Sequence, residues 1–233
     1  MQLTVDSVPR HAMMRHMLEN QPPIQRDKVQ DQVYGRLCKL LCEGAFAPGQ
    51  AIPVSKIAAA FGVSAMPVRE ALTRLRAIGA LANVSGRSVG VAVLGHDELV
   101  DLRNVRVEIE TLAVRWAIQN RDEAFLAELD DLLDRLETAE RSGDVEAYIK
   151  ANYNFHSRLY RQSQSPFLIR TIDAIWLRVS PALHRLEGES LFRIPNIQHR
   201  TLVQSIRQGD GEAASDALVA DIATSYNVLV QTL

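Results

Sequence analysis

Arg69, Thr73 and Arg76 follow one another at spacings of four and three, so a helix would carry all three on one face. Val68, Leu72, Leu75 and Ile78 recur at helical spacing on another face and form an apolar stripe. Such a helix packs its apolar stripe against its own domain and presents guanidinium and hydroxyl groups outward. Those groups suit insertion into the major groove of duplex DNA, where a bidentate arginine–guanine contact discriminates between bases by about 1–3 kcal/mol. Arg69 is the residue expected to make that contact, with a salt bridge on a solvated helix as the alternative. Arg74, Arg76 and Arg87 are expected on phosphates, with Lys56 as a further candidate. Ordinary surface charge is the alternative for each.

The elements around these residues follow from local signals. Gly62 permits a tight turn, Ser64 is a suitable N-cap, and Pro67 falls in the first turn, where a missing N–H does little harm. The arginine-faced helix is therefore expected over about Ala65–Ile78. Val54–Phe61 reads as a short helix with Ile57, Ala58 and Phe61 inward, and two helices joined this closely form a helix-turn-helix. An earlier helix is expected over Arg26–Glu43, with Val29, Val33, Leu37 and Leu40 on one face. Gly44 stops it and Ala47-Pro48-Gly49 makes a turn. Two strand-like segments flank Ser85-Gly86-Arg87-Ser88, which predicts a hairpin directly after the arginine-faced helix. Its tip, Gly86-Arg87, would lie near the sugar-phosphate backbone or the minor groove.

From His96 onward the periodicity is helical. Helices are expected over His96–Gln119, Asp122–Arg141, Asp144–Gln162, Pro166–Leu186, Ile194–Gln208 and Gly211–Gln231. The fold class is mainly α: an N-terminal winged helix-turn-helix plus a C-terminal all-α helical bundle. Residues 1–25 read as an N-terminal arm, 26–94 as the winged domain and 95–233 as a helical effector-binding and dimerisation domain.

Charge supports this division. The chain of 233 residues has a formal charge of -2. Residues 26–93 hold nine Lys/Arg against four acids, whereas residues 94–233 hold fifteen against twenty-two. A basic segment joined to an acidic one suggests that only the first meets a polyanion. No run of eighteen apolar residues exists and the start lacks an apolar signal region, so a cytoplasmic protein without a membrane span is expected. Cys38 and Cys42 lie four apart in a helical pattern, and one helix face is poor geometry for a bridge, so they read as packing residues.

Ala47-Pro48-Gly49, FGVSAMPVREALTRL and the Gly86-Arg87 hairpin together resemble the winged helix-turn-helix of GntR-family transcription regulators. The helical remainder resembles the FCD effector domain of the FadR subfamily, through Arg106 and Glu110 in VRVEIETLAVRWA, Asn152–His156 in NYNFHSRLY, and the stretch from His199 to Asp221. The family has Arg-Thr after Ser64, where this chain has Ala65-Met66, so an operator borrowed from relatives does not transfer. DNA contacts are expected from Lys56, Ser64, Arg69, Thr73, Arg74, Arg76, Gly86 and Arg87.

Asn152 and His156 are four apart and share a helix face. The resemblance implies that they join His199 and Asp221 around a divalent metal, zinc or nickel. The family's usual carboxylate has become Asn152 and its last imidazole has become Asp221, so the formal ligand charge is preserved. The alternative is a polar cavity in which His156 and His199 hold water and a carboxylate directly. Arg106 resembles the family's ligand-carboxylate arginine, since a planar guanidinium grips a carboxylate with two hydrogen bonds. Its rival role is an intrahelical pair with Glu110. Arg103, Tyr160, Trp176 and His184 are further candidates for the effector cavity.

Together these features imply a homodimeric, ligand-responsive regulator, a repressor that binds a palindromic operator and senses a small carboxylate. It is not expected to be an enzyme. The rival readings are a metal-dependent hydrolase or lyase using His156 and His199, and an architectural DNA-binding protein with an empty bundle.

Overall fold

The computed structural model describes residues 28–86, 88–183 and 196–231. The expected N-terminal arm, the start of the first helix, Arg87 and His184 lie outside the described residues.

The first unit is built from α1 (Lys28–Cys42), α2 (Val54–Phe61), α3 (Ala65–Ala77) and the strands β1 (Leu81–Ser85) and β2 (Ser88–Val91). Gly62 ends α2 in the left-handed conformation, at φ 66°, and Val63 N–H donates to the Ala58 carbonyl. That closure turns the chain within three residues, as the sequence predicts. Ser64 sits at the N-cap of α3 with extended backbone, but its hydroxyl makes no cap bond. Val68, Ala71, Leu72 and Leu75 are buried beneath α3. Ile78 lies just past the end of α3 and is 39% exposed, so the apolar stripe stops one turn earlier than expected.

The core face of α1 also differs from the expected one. Val33, Leu37, Leu41 and Cys42 are buried, whereas Val29 is exposed and Leu40 only half-buried. The reason is that α1 packs against two partners, α3 on one side and a later bundle helix on the other. Its apolar surface is broader than the single seam that periodicity suggests.

The two strands form an antiparallel hairpin, with Leu81 opposite Val91 and Ser85 opposite Ser88. Residues 49–52 pair along its outer edge: Ile52 N–H donates to the Val89 carbonyl and Val91 N–H to the Gln50 carbonyl. Gly90 is where this approach is tightest. A Cβ there would stand 2.5 Å from the Gln50 carbonyl oxygen, so only glycine fits. The Ala47-Pro48-Gly49 turn thus does more than end α1: it delivers a segment that braces the wing.

The second unit holds α4 (His96–Gln119), α5 (Glu123–Ser142), α6 (Val145–Arg161), α7 (Pro166–Leu183), α8 (Ile197–Gln208) and α9 (Gly211–Val230). Asp122, Asp144 and Asp210 cap α5, α6 and α9 by accepting backbone N–H bonds. α4 lies against α6, α7 and α9, and α8 lies against α5 and α9. α7 touches α1, so the bundle and the winged unit share a packed interface.

Candidate functional site

Two arrangements stand out, one in each unit. On α3, Arg69, Thr73 and Arg76 are exposed on a common face, as the spacing predicts. With Leu72, Ser88 and Val89 they line a groove of about 530 Å³ between α3 and the wing. Arg69 makes no ion pair among the described residues. Arg76 reaches across to Asn83 of β1 at 3.5 Å. Lys56, Ser64 and Gly86 are exposed, and Met66 stands exposed at the N-terminal end of α3, where the family pattern has a polar residue.

Arg74 is placed elsewhere. It donates to Asp31 at 2.9 Å and lies over the Tyr34 ring, 3.8 Å from its centroid. Both partners belong to α1, so Arg74 is drawn to the opposite side of α3 from Arg69. Where a phosphate contact is expected, Arg74 here makes a solvent-exposed ion pair within the unit.

The second arrangement lies inside the bundle. The apolar face of α6 buries Ile149, Phe155 and Leu159, and places Asn152, His156 and Tyr160 at successive steps of four. α8 brings His199 in its first turn, and α9 brings Asp221. Asn196 fixes the start of α8 by accepting from the Tyr148 hydroxyl at 3.2 Å and donating to Glu140 at 2.6 Å. The result is a tight convergence. His156 Nε2 is 3.2 Å from His199 Nε2 and 3.3 Å from Asp221 Oδ2. His199 Nε2 is 3.2 Å from Asn152 Oδ1 and 3.7 Å from Asp221 Oδ1.

The outer nitrogen of His156 is held. Tyr160 O–H donates to Glu110 Oε2 at 2.5 Å, so its oxygen is free to accept from His156 Nδ1–H at 3.1 Å. With the proton on Nδ1, His156 Nε2 presents a lone pair towards His199 and Asp221; with the proton on Nε2 it donates to Asp221 instead. Burial drives His199 down from 6.5 to about 4, so it is neutral near pH 7. Burial alone would raise Asp221, but the adjoining imidazoles of His199 and His156 and the field of Arg106 hold its carboxyl well below the usual carboxylate range. Two imidazoles, an amide oxygen and a carboxylate thus meet in one buried space.

A divalent cation suits that donor set. Metal–nitrogen distances near 2.0–2.1 Å with tetrahedral geometry put neighbouring ligand atoms about 3.3 Å apart. The observed spacings have that length, and two imidazoles with oxygen donors form a set suited to zinc or nickel. His156, with its Nδ1 anchored through Tyr160, has the outer support that metal-bound imidazoles require. His199 Nδ1 has no partner among the described residues.

Glu110 is the hub behind this cluster. It is fully buried and accepts two bonds from Arg106, at 2.8 and 3.3 Å, one from Tyr160, and one from Trp176 Nε1 at 3.1 Å. Of the two readings of Arg106, the intrahelical pair is the one formed. The Arg106 guanidinium also lies 5.1 Å from the Trp176 ring. Glu110, Tyr160 and Trp176 fill the space beside Arg106. The gap lined by Arg103, Arg106 and Tyr226 measures only about 20 Å³, room for about one water and not for an organic acid. An open effector cavity at Arg103 and Arg106 is therefore absent among the described residues.

Sequence reasoning paired Arg106 with Glu110 but missed that Glu110 also receives α6 and α7. A carboxylate among the buried Ala113, Val114 and Ala117 was the available signal, since such a group must find donors.

Two family models cover this chain. Residues 29–91 match the one described as bacterial regulatory proteins, gntR family, and residues 101–224 match the FCD domain. The chain belongs to the GntR family. Its FCD part spans α4 to α9, and the cluster of His156, His199 and Asp221 falls within it. The chain is 36% identical over 205 residues to the HTH-type transcriptional regulator McbR of Escherichia coli (strain K12), covering 86% of this chain and 92% of that protein. It is 37% identical over 190 residues to the Nta operon transcriptional regulator of Aminobacter aminovorans, covering 81% and 88%. The solved structure of E. coli McbR/YncC superimposes with a TM-score of 0.80 at 30% identity, over 88% of this chain and 99% of that one. A metal-free FCD domain, that of TM0439, shares the fold at a TM-score of 0.52 and 18% identity, over 60% of this chain and 97% of that one. This GntR-family protein is accordingly a DNA-binding transcription regulator with an FCD effector domain, and not a hydrolase or lyase. None of its described helices is long and apolar enough to cross a membrane.

One consequence concerns Tyr160. Tyr160→Phe removes the acceptor for His156 Nδ1–H and frees the ring to turn. Zinc or nickel affinity, measured by competition with a chromophoric chelator, is expected to fall by roughly 10–100-fold. Unchanged affinity would mean that Tyr160 only packs.

Proposed function

We propose that this regulator is a homodimeric repressor whose two α3 helices read the half-sites of a palindromic operator, with affinity set by occupancy of the bundle. Arg69 takes a base edge, Thr73 and Arg76 flank it, Ser64 and Lys56 meet the backbone, and Gly86-Arg87 of the wing lies beside the neighbouring groove. Paired half-sites follow from the two-fold symmetry of a dimer. Asn152, His156, His199 and Asp221 hold a divalent ion, zinc or nickel, and a small organic acid is the effector. When bound, the ion supplies a Lewis-acidic centre that attracts a carboxylate. Arg103, Arg106 and His184 are the candidate partners of that acid, and its entry requires the packing around Arg106 to open. The acid acts only through a difference in its affinity for the two arrangements of the protein.

The observation that carries this reading is the convergence of Asn152, His156, His199 and Asp221 from three helices, with contacts of 3.2–3.7 Å, in a buried cluster that includes a carboxylate. The test begins with duplexes selected from a random pool by the purified protein. Their affinity is then measured by fluorescence anisotropy with protein stripped by chelator, and with protein reloaded with zinc or nickel, against a panel of small carboxylic acids. The expected result is a symmetric selected motif, and at least one acid that changes affinity only in the reloaded form. A selected pool without symmetry, or an affinity indifferent to every acid in both forms, contradicts the proposal.

A further inference from the structure

The interface between the winged unit and the bundle holds a half-open cavity of about 710 Å³. That volume falls within the range of small-molecule sites. The cavity lies on the far side of α3 from Arg69 and does not include the His156 cluster. Its walls come from both units: α1 and the end of α3 on one side, α6 and α7 on the other.

The chemistry of the walls is uneven. Tyr34, Ile78, Tyr153 and Leu177 make the inner surface apolar and aromatic. Ile78, which breaks from the expected core stripe, is exposed onto this space. Cations come from both units: Lys39 and Arg74 from the winged unit, where they also pair with Glu43 at 3.8 Å and Asp31 at 2.9 Å, and Arg161 and Arg170 from the bundle. Asp173 is the one acid among the lining residues, and it stands 3.7 Å from Arg161. Arg170 has no acidic partner among the described residues, and its guanidinium lies over the Phe167 ring at 4.7 Å. An apolar, aromatic hollow with cations on both lips is complementary to an organic anion with a ring or a short hydrocarbon body.

We propose that this cavity is a second ligand site, distinct from the bundle site, that takes an aromatic or apolar organic anion and clamps the DNA-reading helix to the bundle. Arg74 is part of α3 itself, so an anion shared between Arg74 and Arg170 ties α3 directly to α7. The back wall connects to the bundle cluster. Tyr153 lies 5.9 Å from Trp176, and Trp176 lies 5.2 Å from His156. The two sites therefore share an aromatic wall, and a ligand in either one meets the same α6–α7 packing.

The probe is 8-anilinonaphthalene-1-sulfonate, an aromatic anion that fluoresces in apolar surroundings, titrated into the full chain without DNA or added metal. One probe per chain with a blue-shifted emission is expected. Ala174→Trp places a ring in the cavity and is expected to abolish that binding, while Ala174→Ser retains it. Arg170→Glu reverses the charge at the bundle lip and is expected to weaken binding by about tenfold or more, and Arg170→Lys by less. Circular dichroism and melting temperature show that each variant is folded, and Arg170→Glu serves if Ala174→Trp is not. No saturable binding to the full chain, or binding that persists in both Ala174→Trp and Arg170→Glu, overturns the proposal. Neither result bears on the operator or the metal, so failure here is separable from failure of the functional reading above.

Discussion

Replacing Glu110 with alanine is expected to destabilise the protein by about 3–5 kcal/mol, the cost of removing one partner from a buried ion pair. Glu110 is completely buried and Arg106 nearly so, and the two form a bidentate pair within α4. Alanine would leave a guanidinium in the core facing the Trp176 ring, with Asp221 as its remaining negative neighbour. It would also strand the Tyr160 hydroxyl and the Trp176 indole N–H, each of which donates to Glu110. Both are buried donors, and an unsatisfied buried donor costs about 1–3 kcal/mol on its own. Glu110→Gln keeps an acceptor and the shape of the side chain, so it should cost less than Glu110→Ala. Urea unfolding followed by circular dichroism measures both. A loss below about 1 kcal/mol for Glu110→Ala would show that water or a rearranged Arg106 replaces the hub.

The second large effect concerns the cluster itself. Stripped wild-type protein is expected to take up zinc or nickel and to gain about 2.7 kcal/mol of stability when the free ion is a hundredfold above the dissociation constant. His199→Ala is expected to abolish that gain. The stripped variant also loses a buried ring, so the readout is the zinc-dependent gain and not the stability of the stripped protein. That readout separates a ligand from a packing residue, whose loss would lower stability but leave the zinc-dependent gain in place. Asn152→Asp replaces the weakest donor with a carboxylate and is expected to tighten zinc, while Asn152→Ala loosens it. Thermal melts with and without zinc read all four proteins. Equal melting temperatures for stripped and zinc-treated wild type would remove the metal from the account.

Much of the frame was legible before any coordinates. α4 begins and ends at His96 and Gln119, the expected limits, because Asp97 and Glu98 suit a helix start and Asn120 precedes the capping Asp122. The wing was readable from Ser85-Gly86-Arg87-Ser88, since a glycine between strand-like residues permits a tight reversal. The exposed face of Arg69, Thr73 and Arg76 followed from helical period alone. What period could not supply was the identity of each neighbour. Arg74 lies beside Arg76 in sequence, yet Asp31, forty-three residues away, and Tyr34 draw it off the DNA-facing side. Val29 and Ile78 fit apolar stripes but are exposed, because the packing surfaces of α1 and α3 are set by distant partners that local spacing does not record.

The bundle site was legible only in part, for the same reason. The spacing of Asn152 and His156 put two groups on one face, and the family resemblance brought His199 and Asp221 to them. The hub at Glu110 depends on contacts across fifty and sixty-six residues, to Tyr160 and Trp176, which no local pattern records. The closed packing at Arg106 and the cavity between the two units likewise arise only when helices meet.

The central claim is that α3 reads DNA through Arg69 while the rest of the chain modulates that reading. The most direct test is a fluorescence-anisotropy comparison of wild type and Arg69→Ala, at one fixed salt concentration, on a selected duplex and on a scrambled duplex of equal length. Salt must be held constant because phosphate contacts alone shift affinity by orders of magnitude. The account predicts that Arg69→Ala lowers the ratio of selected to scrambled affinity by roughly tenfold or more, with scrambled binding and melting temperature nearly unchanged. An unaltered ratio in a folded Arg69→Ala protein would contradict it.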